Sequence, residues 1–332
     1  METAKKLKKS TLSIKNMLMD NKIVIVVIVL FVGMAIASDA FLSSTNLFNV
    51  IRQICTSAIV ALGFTIVVSS GNLDLSVGTM LGLIGVIMAK FSHVMPLGLA
   101  LVLGLVVGAL LGYANGLLIT VFKINGLVAT IGTQSIFMGA CYLISGNSPV
   151  INLPEKFKIF GQEYVGVIPV PVIIMGTLAV IIAIVLYRTK FGRHVIAIGG
   201  NTEAARVSGV NVQSVTRKVY LAMGICCAVG AIVMTGRLGT AQPKAGQGME
   251  IDAIAAVVLG GTSLSGGKAK VMGTIWGCLT VGIINNGLNL AQVDTNWQII
   301  AKGLLIVAAI IMDSQTEQFL ARLRKKEQIT NG

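Results

Sequence analysis

Polar and charged side chains interrupt several of the long apolar stretches in this sequence. Transfer of a hydroxyl group into an alkane-like medium without a hydrogen bond costs ~4–8 kcal/mol, so a passage for a polar solute through apolar surroundings must supply hydrogen-bonding groups. Each of these side chains also has a structural alternative, because an acid can cap a helix start and a lysine can pair with an acid. The candidates for such a translocation path are Asn72, Asp74, Ser76, Gln134, Asn285, Asn286, Asn289 and Lys302.

Residues suited to catalysis or metal binding are sparse. The five cysteines all lie in apolar stretches without a metal-ligand spacing, which predicts buried free thiols. The two histidines, His93 and His194, are not near a cluster of acids or cysteines. We therefore expect no metal site and no catalytic residues, which disfavours a membrane enzyme.

The glycine-rich segment from Gly260 to Gly267 has the composition of a phosphate-binding loop but not its spacing. Such a loop needs Gly, four further residues and then Gly-Lys-Ser/Thr, whereas Lys268 is followed by Ala269 and position 262 is Thr. Nothing else in the sequence fits this pattern. If ATP drives this protein, another subunit must hydrolyse it.

Composition defines the broad class of protein. Of the 332 residues, 55% are hydrophobic and only 12% are charged, against about 25% charged residues in a soluble domain. Most of the surface must therefore face lipid. The net charge of +13 could indicate nucleic-acid binding, but the charges lie between the apolar stretches, which favours a rim that meets anionic headgroups. We expect no nucleic-acid partner.

The apolar stretches predict an all-α, polytopic integral membrane protein with about 10 transmembrane helices, since a span needs ~17–25 residues. The predicted transmembrane region covers 23–313, between basic tails at 1–22 and 314–332. The weakest spans are 74–91, which Gly71, Asn72 and Asp74 interrupt, and 251–266, which is short enough to be re-entrant. The predicted spans are 23–38, 48–69, 74–91, 95–122, 127–145, 166–187, 219–236, 251–266, 271–291 and 298–313.

Lys and Arg placement predicts the orientation, because these residues are enriched in cytoplasmic loops. With the N-terminus inside, most of the 26 Lys and Arg residues fall on the cytoplasmic side, with six in the segment 188–218. An even number of spans keeps both charged tails there. The outer segments then hold only Lys90, Lys156, Lys158, Arg237 and Lys244.

A weak internal similarity suggests a five-plus-five repeat. Residues 112–117 read GYANGL in the fourth span, and residues 282–288 read GIINNGL in the ninth; Asp74 and Asp252 open the spans before them. An odd number of spans per half would invert the second half in the membrane. Chance remains an alternative, because Asn-Gly pairs are common.

Glycines spaced by four occupy one face of the fourth span. Such a stripe allows two helices to approach closely in lipid. It is compatible with tight packing inside the protein or with a sliding face that lines a pore. The stripe consists of Gly104, Gly108, Gly112 and Gly116.

The longest cytoplasmic segment, 188–218, predicts a short capped helix. Thr202 can cap the start of a helix that begins at Glu203, whose negative charge favours the helix N-terminus. Gly209 can end it about two turns later. Such a helix is a rigid projection from the inner face that a partner could engage, although an ordinary amphipathic connector would have the same pattern.

Four segments of the sequence together resemble the ribose-type permeases of bacterial ABC importers. The resemblance covers roughly residues 25–313, with the segments in the family's order. Leu127 stands where the family often has Phe, and Asn72 stands where Gly, Ile or Thr is common, which could bear on the solute. The four segments are 71–78 (GNLDLSVG), 127–133 (LVATIGT), 190–211 with the preceding Thr189 (TKFGR, AIGGN, EAARVSGV) and 251–267 (IDAIAAVVLGG, SLSGG).

In that family the segment corresponding to 188–218 holds the coupling helix that docks into the ATPase subunit. The resemblance therefore implies a site for coupling to an ATPase rather than for chemistry in this chain. The residues that match the family's pattern are Gly192, Arg193, Gly199, Gly200, Asn201, Glu203, Ala204, Ala205, Arg206 and Gly209.

The resemblance also implies the surroundings of the protein. It predicts a multi-pass protein of the bacterial inner membrane, with no cofactor of its own and with ATP and Mg on a partner ATPase subunit. An extracytoplasmic solute-binding protein would deliver a monosaccharide such as ribose. A second copy of the chain, or a related permease, would complete the pore.

Two alternative functions remain open at this point. The same kind of permease could carry a nucleoside or a furanose-type signal molecule instead of a sugar. From a different class, an ion-coupled secondary transporter would need a carboxylate pair or a broken-helix ion site near the midplane. The few acids of the spans, Asp74 and Asp252, lie near span ends, which disfavours it.

Overall fold

The computed structural model describes residues 22–294 and 296–304, together with residues 307 and 311. The predicted tails 1–22 and 314–332, apart from residue 22, lie outside the described residues, as does much of the predicted last span. The regular structure of the described part is helical apart from one small hairpin, which confirms the predicted all-α class. In chain order the α-helices are α1 (Lys22–Ala37), α2 (Ser44–Ser69), α3 (Val77–Phe91), α4 (Leu97–Val121), α5 (Gly126–Ser145), α6 (Val170–Arg188), α7 (Lys190–Gly200), α8 (Thr202–Val207), α9 (Val212–Leu238), α10 (Met249–Leu259) and α11 (Val271–Leu290).

Three shorter features complete the described architecture. A 3₁₀ helix spans Glu155–Phe160, and strands β1 (Tyr164–Val165) and β2 (Ile168–Pro169) form an antiparallel hairpin directly before α6. Residues 296–304 are helical and begin the last predicted span.

Six helices in the described part are long and apolar enough to cross a membrane: α2, α4, α5, α6, α9 and α11. They have 19 to 27 residues, and at 1.5 Å per residue each can cross a hydrocarbon layer of about 30 Å. Two shorter apolar helices lie over Ile23–Ala37 and Val77–Phe91. The chain is therefore a multi-pass membrane protein.

Helices α2 and α9 form the centre of the fold. The inner two thirds of α2, from Ile54 to Ser69, is buried almost throughout, and on α9 the side chains of Tyr220 and Cys227 are fully buried. By contrast, most residues of α4, α5 and α6 are at least partly exposed, as expected for helices whose outer faces meet lipid. The core is thus built on two nearly enclosed helices.

Three glycines of the α4 stripe, Gly108, Gly112 and Gly116, pack against α9 inside the protein, whereas Gly104 packs against Met88 of α3. A β-carbon added at Gly108 would lie 2.5 Å from the Gly224 carbonyl oxygen, and one added at Gly116 would lie 2.8 Å from the α-carbon of Arg217. These positions are buried, so the packing interpretation of the stripe is confirmed. In lipid, such close approach gains van der Waals contact that larger residues would prevent.

Helices α3 and α10 are short because both begin deep in the protein. The Sγ of Cys227, at the middle of α9, lies 3.6 Å from the Val77 carbonyl oxygen at the start of α3. The non-helical segment before α10 reaches the same place, because a β-carbon on Gly78 would collide with the Gly246 carbonyl oxygen. The N-terminal ends of these two short helices therefore lie next to each other.

Two predicted spans differ from the helices in the structure. The span expected at 251–266 is helical only as far as Leu259, where the 11-residue α10 ends, because Gly261 (φ 81°) and Gly266 (φ 84°) form turns after it. This helix is about 16 Å long and cannot cross a bilayer alone. The helix at the span expected at 219–236 is longer than predicted, since α9 begins at Val212. The first turns of α9 are polar, so the apolar stretch in the sequence begins later than the helix does.

Candidate functional site

The segment between α6 and α9 folds into two capped helices. The Thr189 hydroxyl accepts a hydrogen bond from the Gly192 amide (3.2 Å) at the start of α7. The Asn201 side chain accepts one from the Ala204 amide (2.9 Å) at the start of α8. The prediction that Thr202 caps this helix was wrong: Asn201 takes the cap, and the Thr202 hydroxyl donates to the Ile198 carbonyl (2.9 Å), which ties the two helices together.

Helix α8 exposes almost all of its surface. Ala205 is its one buried residue, whereas the Val207 side chain is 75% exposed. Gly209 follows with a φ of 85°, and this left-handed conformation ends the helix as predicted. The result is a small projection with an aliphatic residue at its end.

Glu203 and Arg206 form an ion pair along the exposed face of α8. Arg206 Nε donates to Glu203 Oε2 at 3.0 Å. This hydrogen bond lowers the pKa of Glu203 and raises the pKa of Arg206. Both groups are fully exposed, so the ion pair adds little to the stability of the protein. Its effect is to place one negative and one positive charge on the surface of α8.

Glycines join α7 to the end of α2. A β-carbon on Gly199 would collide with the carbonyl oxygen of Ser69, and would lie 2.5 Å from the Gly267 amide nitrogen. The Gly267 amide donates to that same Ser69 carbonyl (3.0 Å). Gly266 completes the contact, because a β-carbon there would lie 2.8 Å from the Gly71 nitrogen. We call Gly71, Gly199, Gly266 and Gly267 the glycine junction.

The remaining predicted coupling residues have different surroundings. A β-carbon on Gly192 would collide with the Leu186 carbonyl oxygen, whereas nothing lies within 4 Å of one on Gly200. Arg193 and Ala204 are exposed. Gly192 is therefore required for the turn from α6 into α7, and the others belong to the surface.

An open cleft of about 650 Å³ lies beside the glycine junction. Asn72, Lys123, Thr202 and Ser265 are among the residues that line it. Asn72 was predicted to lie on a membrane path, but its amide donates to the Ser70 hydroxyl (3.1 Å) and carbonyl (3.3 Å) at the rim of this cleft. It therefore belongs to the same end of the molecule as the coupling segment.

Asp74 and Ser76 lie together in a buried polar cluster. Asp74 Oδ1 accepts hydrogen bonds from the amide (2.9 Å) and the hydroxyl (2.6 Å) of Ser76. Asn115 of α4 donates to the Ser76 hydroxyl (2.9 Å). All three side chains are fully buried, which favours a structural role: they hold the non-helical segment 70–76 against α4.

Two of the predicted asparagines on α11 form helix-to-helix contacts. Asn286 and Asn46 of α2 exchange hydrogen bonds between their side-chain amides at 2.8 and 3.1 Å. The Asn289 side chain accepts a hydrogen bond from Gln298 at 3.0 Å. Both contacts satisfy the polar groups within the protein, as apolar surroundings require.

Asn285 and Lys302 lie in a different group. Lys302 Nζ lies 3.1 Å from Asp252 Oδ1 and 3.2 Å from Oδ2, so the ion pair joins the last described helix to α10. Asn285 is 8% exposed, and its Oδ1 has no hydrogen-bond donor among the described residues. Gln134 of α5 is half-buried and belongs to neither group.

Sequence reasoning missed four residues of these arrangements. Asn46 and Asn115 are partners of predicted residues, and single asparagines in apolar helices were the available signal. Val207 is one valine among many, so only the structure reveals its exposure. Gln53 of α2 is exposed within a membrane-spanning helix, and its position in an apolar stretch could have identified it.

The described residues contain no group of three or more His, Cys, Asp or Glu residues that could hold a metal ion. The five cysteines are all buried free thiols. The described architecture is thus a polytopic helical membrane protein with an exposed capped helix, linked by glycines to a nearly enclosed central helix. The protein is therefore a multi-pass helical membrane protein.

Comparison with known families agrees with this class. Residues 46–310 match the family described as "Branched-chain amino acid transport system / permease component". The chain belongs to this family and is a non-catalytic transport component.

Several characterised relatives are sugar permeases. The ribose import permease protein RbsC of Bacillus subtilis (strain 168) is 41% identical over 289 residues, which cover 86% of this chain and 89% of that protein. RbsC of Escherichia coli (strain K12) is 37% identical over 308 residues, 91% of this chain and 96% of that protein. The D-allose transport system permease protein AlsC of the same organism is 35% identical over 292 residues, covering 87% and 89%. No solved structure matches the chain.

Proposed function

We propose that this chain is the membrane-spanning permease subunit of an ATP-driven importer for ribose or a related monosaccharide. Family membership and the names of the ribose and D-allose permeases among its relatives support this solute class. The observation that carries the mechanism is α8, a capped helix with an exposed Val207 that directly follows α7, whose Gly199 belongs to the glycine junction. A nucleoside or furanose-type signal molecule remains the alternative solute.

The importer needs partners that supply what this chain lacks. An ATPase subunit binds ATP and Mg and docks on α7 and α8, and an extracytoplasmic binding protein delivers the solute to the other face. A second copy of this chain, or a related permease, completes the pore. The exposed faces of α4, α5 and α6 offer surface for that second subunit as well as for lipid.

The coupling site consists of one docking face and one transmitting contact. Glu203, Ala204, Arg206 and Val207 form the docking face, and Asn201 fixes the helix that presents it. Closure of the ATPase subunits displaces α8 and α7. Since Gly199 lies directly against Ser69, that displacement moves the end of the central helix α2.

The proposed topology has ten crossings or part-crossings between 23 and 313, with both termini in the cytoplasm of a bacterial cell. The excess of Lys and Arg in 188–218 supports this orientation. An inverted five-plus-five repeat is supported by the two short helices α3 and α10, which begin next to each other. Asp74 lies just before the first of them, and Asp252 lies in the first turn of the second. Paired broken helices are a feature of transporters with inverted repeats.

Purification of the chain with and without the ATPase subunit of the same transporter tests the proposal. The isolated chain is expected to hydrolyse no ATP, and the complex is expected to hydrolyse it in detergent. The rate should fall when Gly209 is changed to Val, because α8 then loses its terminating turn. Hydrolysis of ATP by the isolated chain, or failure of the ATPase subunit to bind it, would contradict the proposal.

A further inference from the structure

A polar crevice lies between α2, α10 and α11. Gln53 and Ser57 line it from α2, Asp252 from α10 and Asn285 from α11. The ion pair between Asp252 and Lys302 lies at its edge. Four separate helical segments thus contribute hydrogen-bonding side chains to one place in a protein whose interior is otherwise largely apolar.

Asn285 supplies the first sign that the crevice is a binding site. Its side chain is more than nine-tenths buried, yet its Oδ1 accepts no hydrogen bond from the described residues. Leaving a buried polar atom without a partner is costly, and such atoms in native proteins call for an explanation. A ligand or water in the crevice supplies the missing donor.

Gln53 supplies the second sign. It is exposed although it lies within a helix that crosses the membrane, and no hydrogen bond holds its side chain within the described residues. Lipid chains offer a glutamine amide no hydrogen-bond partner. This face of α2 therefore meets a polar passage rather than lipid.

The chemistry of the lining fits a polyhydroxylated solute. The Asp252 carboxylate only accepts hydrogen bonds, the Lys302 ammonium only donates them, and the amides of Gln53 and Asn285 do both. Neighbouring hydroxyl groups on a sugar need donors and acceptors side by side. The set has no net charge when Asp252 and Lys302 are paired, which suits a neutral solute rather than an ion.

The size of the crevice shows that the present conformation does not hold the solute. The space free for a water-sized sphere is about 10 Å³, roughly that of one water molecule. A sugar enters only when the helices separate. The crevice is therefore closed in this state and opens during the transport cycle.

From these observations we infer that Gln53, Asp252, Asn285 and Lys302 form a hydroxyl-binding subsite that a monosaccharide contacts while it crosses the membrane. This inference rests on the proposed sugar-import function and gives it a location. Ser57 adds a hydroxyl group at the wall. The subsite guides the solute, because its groups replace the water that a sugar loses in transit.

The test uses the complete importer, with ATPase subunit and binding protein, in proteoliposomes at saturating ribose. The quantity measured is the number of ribose molecules moved per ATP hydrolysed. The Gln53→Leu variant should lower this ratio about fivefold, the typical value of one net hydrogen bond. The Asn285→Asp variant, of nearly the same shape, should lower it as well. In both, ATP hydrolysis stimulated by the binding protein should persist.

The control is Gln292→Leu, the same change at an exposed glutamine in the turn after α11, which should keep the wild-type ratio. An unchanged ratio in Gln53→Leu would overturn the subsite. Equal losses of ribose uptake and of stimulated hydrolysis would assign Gln53 to assembly and would also overturn it. Failure of the wild-type importer to move ribose with ATP would instead overturn the proposed function, so the two failures are distinguishable.

Discussion

Gly199 of α7 lies so close to Ser69 at the end of α2 that a β-carbon on the glycine would collide with the serine carbonyl oxygen. Ser69 is at the same time bound to the turn after α10, since its carbonyl accepts the Gly267 amide (3.0 Å) and its hydroxyl donates to the Lys268 carbonyl (3.1 Å). Ser69 of the central helix α2 thus contacts both α7 of the coupling segment and the turn that joins α10 to α11.

The first prediction concerns this contact. The Gly199→Ala variant should destabilise the protein by about 1–3 kcal/mol, because overpacking forces the surrounding backbone to move. Gly200→Ala, at the neighbouring position with nothing within 4 Å, should not. Thermal unfolding of the two variants in the same detergent measures the difference. Equal melting temperatures would show that the junction can adjust without cost.

The second prediction concerns the docking face of α8. Val207→Asp should leave the melting temperature unchanged, because the side chain is 75% exposed. It should weaken binding of the ATPase subunit at least roughly tenfold, because docking would bury a carboxylate that has no partner. Affinity measured in detergent with the purified ATPase subunit is the readout.

A matched control for that experiment lies on the hairpin before α6. Val167 is also highly exposed, but it lies at the opposite end of α6 from the coupling segment. The Val167→Asp variant should bind the ATPase subunit as the wild type does. If both aspartate variants bind equally well, α8 is not the docking element.

The third prediction concerns the amide pair of Asn46 and Asn286, which joins α2 to α11. Each single change to Leu should lower stability, and the double change should cost less than the sum. The interaction energy from this double-mutant cycle should be about 0.6 kcal/mol, the average for hydrogen bonds between membrane helices. An interaction energy of zero would mean that the two amides act independently.

Much of the architecture follows from sequence because the membrane imposes simple rules. The bounds predicted for the spans at 48–69, 95–122 and 127–145 lie within a few residues of α2, α4 and α5. The stripe from Gly104 to Gly116 predicted close helix packing, and α9 and α3 provide its partners. Long apolar stretches predict the helices that lie in lipid, and regularly spaced small residues predict where two helices pack closely.

The parts that could not be predicted depend on contacts between distant residues. Nothing in the pattern around Asp252 shows that its helix begins deep in the fold, because that depends on the segment ending at Gly246 packing on Gly78. The neighbours of the predicted path residues also could not be predicted from the sequence. Asn286 is bound to Asn46, whereas Asn285, one residue earlier, points to another group. Adjacent helical positions differ by about 100° in direction, and only the packed structure assigns each its neighbour.

Uptake of labelled ribose into proteoliposomes that contain the complete importer tests the central claim most directly. Uptake should require ATP and the ATPase subunit, and it should continue when an ionophore has removed all ion gradients. Uptake that needs no ATP and disappears with the ionophore would contradict the claim, because the chain would then be an ion-coupled transporter.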